Sequence, residues 1–274
     1  MRIDSHQHFW NYHPVKDAWI SDNMKEIQQD FMPADLLPLL QQNDIDGCIA
    51  VQADQSKEET HFLLQLAQDN DFIKGVGWVD FRSNKIEERL QYFSQFEKLK
   101  GFRHIVQGEP EDDFLLRDDF CNGIAQLEKY NFTYDLLILP IHLPFAVNFV
   151  KRFPKQNFVI DHLAKPNFKA NDFSEWERGI SELALHKNVY CKVSGMVTEA
   201  DWKNWKAADF NYCLDVLVSN FGIDRLMFGS DWPVSLLAAS YEESTAIVKN
   251  YFSKFSRQDQ DKIWGANAMK FYNL

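Results

Sequence analysis

The chain has 274 residues with 29 basic and 40 acidic side chains, a net charge of -11. That acidity disfavours a nucleic-acid backbone or an anionic membrane surface as partner and leaves a neutral small molecule as the better fit. Apolar residues make up 45% and charged residues 25%, which excludes a disordered chain and supplies a large core.

The first strand-like run, 2–6, lies in MRIDSHQHFW. No basic segment leads there into an apolar stretch, so no secretory signal is read and a cytoplasmic enzyme is expected. A long connection, 9–30, follows and carries Trp10, Tyr12 and Trp19. Its length fits a lid whose aromatic faces meet a sugar ring, or equally rings packed on a rim. Helical spacing at Pro33–Gln42 and a strand at 47–52 come next. Thereafter helices at 58–70, 85–98, 115–129, 143–153, 174–186 and 210–221 alternate with strands at 75–79, 101–105, 133–138, 158–161, 189–193 and 226–228. A closing helix is expected over 256–274, with Ser256 as its cap. The longest apolar run, 136–150, holds His142 and two prolines and falls short of the roughly 20 residues a membrane-spanning helix needs. Cys48, Cys121, Cys191 and Cys213 form no C-x-x-C pair and are expected to stay reduced.

Strands that are nearly continuous in apolar residues, each followed by a helix, predict a parallel sheet covered on both sides. Eight such units in this length predict a (β/α)8 TIM barrel as a single domain over 1–274. An open doubly wound sheet would place a glycine-rich phosphate turn after the first strand, where this chain has Ser5-His6-Gln7-His8.

In a TIM barrel, chemistry gathers at the C-terminal ends of the strands. His6 and His8 leave strand one at i, i+2 and should share a face, strand six ends in Asp161-His162, and strand eight runs into Gly229-Ser230-Asp231. Singly, each histidine is more readily a hydrogen-bonded structural residue. Their convergence with a carboxylate favours either a divalent metal site or a general base beside carbonyl-polarising imidazoles. Gln52, Asp54, Asp80, Arg82, Arg103 and His104 are further polar groups at strand ends, and Arg103 suits a carbonyl or carboxylate. Lys192, inside strand seven, is either catalytic or paired with Asp135 of strand five.

The segments DSHQHFW, GFRHIVQGEP, FVIDHLAKP, VYCKVSG, FGSDWP and GANAMKFYNL resemble, in the same order, the amidohydrolase-related lactonases. These include fuconolactonase-like and rhamnonolactonase-like sugar lactonases and the pyrone dicarboxylate lactonase. The resemblance implies a distorted barrel in which His6, His8, His162 and Asp231 are catalytic. It also matches Arg103 and His104 to the group's strand-four pair. Strand five carries Asp135 and no terminal histidine, so the superfamily's metal set is incomplete, consistent with metal-independent members of the group.

The expected reaction is hydrolysis of a sugar-acid lactone, with Asp231 as base, His6, His8 and His162 stabilising the oxyanion, and Arg103, His104, Trp10, Trp19 and Trp232 binding the ligand. No cofactor is required, or one zinc or manganese ion sits on His6, His8 and Asp231. The protein is expected to be a monomer or homodimer. The alternatives are a metal-dependent decarboxylase or hydrolase of a pyrone or aromatic carboxylate, and a sugar-binding barrel without catalysis.

Overall fold

A computed structural model describes residues 1–274. The strands are β1 Ile3–Gln7, β2 Gly47–Val51, β3 Ile73–Gly77, β4 Leu99–Ile105, β5 Thr133–Leu137, β6 Phe158–Ile160, β7 Val189–Val193 and β8 Leu226–Phe228, paired in parallel in that order. The helices are α1 Pro33–Gln42, α2 Lys57–Asp69, α3 Ile86–Phe93, α4 Asp118–Ile124, α5 Leu143–Arg152, α6 Ser174–Ala184, α7 Met196–Glu199, α8 Asn211–Phe221, α9 Tyr241–Phe252, α10 Arg257–Asp261 and α11 Asn267–Tyr272. The result is the (β/α)8 barrel expected from the alternation. No helix is long and apolar enough to cross a membrane.

Several elements differ from the sequence-based expectation. β3 starts two residues earlier, and α3 stops at Phe93. The helix expected over 115–129 breaks into 3-10 turns at Phe114–Leu116 and Glu128–Tyr130 around α4. The closing helix is interrupted by a π-turn at Lys262–Ala266, and Ser256 caps α10 by accepting from the Asp259 amide. Helix α9 follows β8 unanticipated, although Ser240 and Glu243 form a capping box at its start.

The larger apolar cluster lies between strands and helices. A second cluster of ten residues, among them Ile3, Ile49, Val76, Val159 and Met227 from the strands and Ala268, Phe271 and Tyr272 from α11, fills the barrel floor. Above that floor the interior is charged: Arg103, Asp135, Asp161 and Lys192 meet around His6, all buried. Two cations and two carboxylates cancel there, which is the condition under which buried charges persist.

β8 and β1 are joined by few bonds. The Ser5 hydroxyl donates to the Phe228 carbonyl (2.5 Å), the Asp231 amide donates to the His6 carbonyl (2.8 Å), and the His8 amide donates to the Trp232 carbonyl (2.7 Å). The residues that close the barrel are therefore the neighbours of the expected site.

Candidate active site

Alternation alone would put Ile3 and His6 on opposite faces of β1. The β1–β2 register shifts between Asp4 and Gln7, a bulge whose extra residue resets the parity. Ile3 joins the interior cluster, and His6, three residues on, also points inward to Asp161 and Lys192. His8 follows at the mouth. On the outer side Gln7 Nε2 donates to Cys48 Sγ (3.3 Å).

His6 Nε2 lies 3.2 Å from His8 Nε2. Asp231 Oδ1 lies 3.9 Å from His6 Nε2, 3.6 Å from His8 Nε2 and 3.7 Å from His162 Nε2. One carboxylate oxygen thus faces three imidazoles supplied by β1 and the segment after β6. The backbone that brings them together is strained. Asp231 has φ 59°, and His162, Leu163, Ala164 and Lys165 form a run of four left-handed residues with φ between 52° and 57°. Each such non-glycine residue costs on the order of 1–2 kcal/mol. The run is anchored by the Trp176 indole donating to the Leu163 carbonyl (2.6 Å) and by the Lys165 amide donating to the His162 carbonyl (2.7 Å). Gly195 makes room for it: its φ is +65°, and a Cβ there would stand 2.4 Å from His162 Nδ1.

Burial pushes the His6 pKa well below the usual histidine range, with Lys192 and His162 adding to the shift against the opposing charge of Asp161. Burial likewise takes His162 down to about 4. Both rings are unprotonated at neutral pH. Burial raises Asp231, but His162 and His8 outweigh it, and the carboxyl ends below its ordinary value and ionised. Asp161 is pushed up by burial and held well below the carboxylate range by Lys192, His6 and Arg103.

The donor set fits a divalent ion. His8 Nδ1 lies 2.8 Å from the Val51 carbonyl, which can only accept, so in the neutral ring the Nε2 lone pair faces Asp231 Oδ1 with no hydrogen between them. Separations of 3.2–3.9 Å among His6, His8 and Asp231 are close to the ~3.4 Å that tetrahedral ligands at about 2.1 Å impose. The absent strand-five histidine has a physical counterpart. Arg103 Nη1 comes within 3.4 Å of His6 Nε2 while pairing with Asp161 (3.0 Å), and Asp135 is tied to Lys192 (2.5 Å) and to the Tyr272 hydroxyl. His142 is no substitute, since its Nδ1 accepts from the Leu139 amide.

A cavity of about 360 Å³ opens over this cluster, enough for a monosaccharide-sized ligand. Of the residues singled out in the sequence, His8, His162, Asp231, Arg103, Trp10 and Trp19 line it, while His6 is buried and lies outside the lining. His104 does not line it. On β4, period two sends Arg103 inward and His104 outward, where it stacks on Phe114, accepts from the Trp78 indole and pairs with Glu109 (2.6 Å). Trp232 is also outside, packed edge-on against Phe9 and Phe31 beneath the rim. The expectation that these two touch the ligand gives way to structural roles. Gln52 is buried against Arg103, and Asp80 and Arg82 pair with each other away from the mouth. The 9–30 connection is rim and wall together: Trp10 bridges to Phe31 and donates to the Gln29 carbonyl, yet its ring still faces the cavity. Gln107, Lys165, Glu199 and Trp202 also line the cavity. Lys165 stood in the FVIDHLAKP segment and Gln107 in GFRHIVQGEP, but nothing in the sequence singled out Glu199 or Trp202.

Residues 3–274 match a family model described as Amidohydrolase. The chain is 40% identical over 286 residues to L-fucono-1,5-lactonase of Burkholderia multivorans, covering 100% of this chain and 96% of that protein. It is 33% identical over 278 residues to L-fucono-1,5-lactonase of Burkholderia ambifaria, with the same coverage. A crystal structure of a Burkholderia multivorans amidohydrolase with bound zinc superposes with a TM-score of 0.96 at 40% identity, covering 100% of this chain and 99% of that one. The strand-end histidines and aspartate thus occur in a chain that matches the family model almost from end to end, and the chain belongs to the amidohydrolase family.

Proposed function

We propose that the protein is a lactonase that opens a sugar-acid lactone of the L-fuconolactone type, with Asp231 as the general base. The observation that carries this is the ionised Asp231 carboxylate 3.6–3.9 Å from three imidazole nitrogens at the base of a monosaccharide-sized cavity. The L-fucono-1,5-lactonases that match the whole chain support it.

Asp231 takes a proton from water as the oxygen attacks the lactone carbonyl carbon, and carries it to the ring oxygen when the C–O bond breaks, leaving the open sugar acid. His162 Nδ1 lies 2.9 Å from the Ser194 hydroxyl; with that hydroxyl donating, the ring presents Nε2–H to the developing oxyanion. A preorganised donor of this kind accounts for about 100-fold in rate or more. Arg103 is fixed by Asp161 and the Gln52 carbonyl (2.5 Å), which orients its guanidinium beneath the ligand, and Trp10 and Trp19 offer faces to the C–H surface of the sugar. His6, His8 and Asp231 would hold a zinc or manganese ion, which when bound supplies carbonyl polarisation or a more acidic water.

The test follows acid release from L-fucono-1,5-lactone and L-galactono-1,4-lactone by the wild type and Asp231→Asn. The variant should lose on the order of 10³ in kcat, and wild-type rates in it would sink the base. Activity lost to a chelator and restored by zinc assigns the ion a role, whereas unchanged activity removes it.

A further inference from the structure

Four ionisable side chains besides the histidines line the cavity: Arg103, Lys165, Glu199 and Asp231. Arg103 is committed to Asp161, and Asp231 belongs to the reacting centre. Lys165 and Glu199 form an ion pair of 2.8 Å in the cavity wall, their side chains 18% and 26% exposed. An ion pair fully on the surface is worth little to stability, and a structural pair needs no access to the ligand space. This one has that access and sits on fixed carriers. Lys165 ends the anchored left-handed run that also holds His162, and Glu199 ends α7, where the Trp202 indole donates to the Thr198 carbonyl (2.8 Å). In the same cavity the side-chain oxygen of Gln107 is buried without a partner.

We infer that the Lys165–Glu199 pair is a specificity determinant that selects neutral polyhydroxylated lactones over lactones bearing a free carboxylate. Glu199 cancels the one cavity cation not already held by the reacting centre's own network. A ligand carboxylate therefore finds no free positive charge at this wall, while sugar hydroxyls find a donor in Lys165 and acceptors in Glu199 and Gln107. Discrimination of this kind arises as much from the unfavourable burial of the wrong group as from attraction of the right one. The inference rests on the lactonase reading and adds the residues that set the charge preference of the site.

The experiment compares L-galactono-1,4-lactone with galactaro-1,4-lactone, in which the terminal CH2OH is a carboxylate, on wild type, Glu199→Gln and Lys165→Met, with thermal melts to check folding. Glu199→Gln uncovers the Lys165 charge, so the anionic-to-neutral ratio of kcat/KM should rise roughly tenfold through a lower KM for the anion, and that gain should shrink as salt is added. Lys165→Met should lower the ratio and raise KM for the neutral lactone with kcat little changed. Ratios within about twofold of wild type in both variants, while wild type opens the neutral lactone, overturn this inference alone. Wild-type protein that opens neither lactone nor L-fucono-1,5-lactone overturns the lactonase reading and this inference with it.

Discussion

Replacing Lys192 with methionine keeps the length of the side chain and removes one ammonium from the centre of the barrel. Lys192 Nζ lies 2.5 Å from Asp135 and 3.0 Å from Asp161, with every side chain fully buried. Breaking a buried pair by deleting one partner costs about 3–5 kcal/mol because a charge is left unmatched, and for a chain of this size that lowers Tm by roughly 10 °C. The loss should depend on pH. In the wild type, Asp161 is held well below its ordinary value, so its contribution is present above the unfolded pKa near 3.9 and persists into acid. Burial already raises Asp135 to about 6 with Lys192 beside it; without Lys192 that carboxyl rises further, and burial lifts Asp161 above the unfolded value as well. The native state then binds more protons than the unfolded one, and stability falls as pH rises. Thermal melts of both proteins from pH 5 to 8 should show the deficit growing with pH, and adding Asp135→Asn should recover a large part of it. A deficit under about 2 °C, or one equal at both ends of the range, would refute the argument that Lys192 is a structural counter-charge.

Three further outcomes follow from the geometry. Gly195→Ala places a methyl 2.4 Å from His162 Nδ1 at a left-handed backbone position, so kcat should fall on the order of 100-fold with the fold retained; lactone assays beside circular dichroism check it. Trp19 lies at the cavity edge and is 44% exposed, so Trp19→Ala should raise KM a few-fold and leave Tm within about 1 °C. His162 is held to about 4 in the folded protein against an ordinary histidine value of 6.5, so the unfolded chain takes up its proton first on acidification. Stability should fall as pH drops from 6.5 toward 4, by on the order of 3 kcal/mol from this group alone, and a urea midpoint equal at pH 7 and pH 5 would count against that burial.

The barrel was legible because its signal is local. Apolar runs followed by helical spacing recur eight times, and each βα unit needs only its own residues to declare itself. The strand-end cluster of His6, His8, His162 and Asp231 was legible for the same reason, once strand ends are known to point at one mouth. The sequence determined which residues could meet. The tertiary structure decided how they face: the bulge in β1 turns His6 inward, a left-handed run without glycine aims His162 and Lys165, and the parity of β4 sends His104 away from the cavity that Arg103 enters. Register shifts and positive φ in ordinary residues are imposed by packing from distant strands and leave no local trace. Glu199 became part of the site only because Lys165, across a different strand connection, was carried to it.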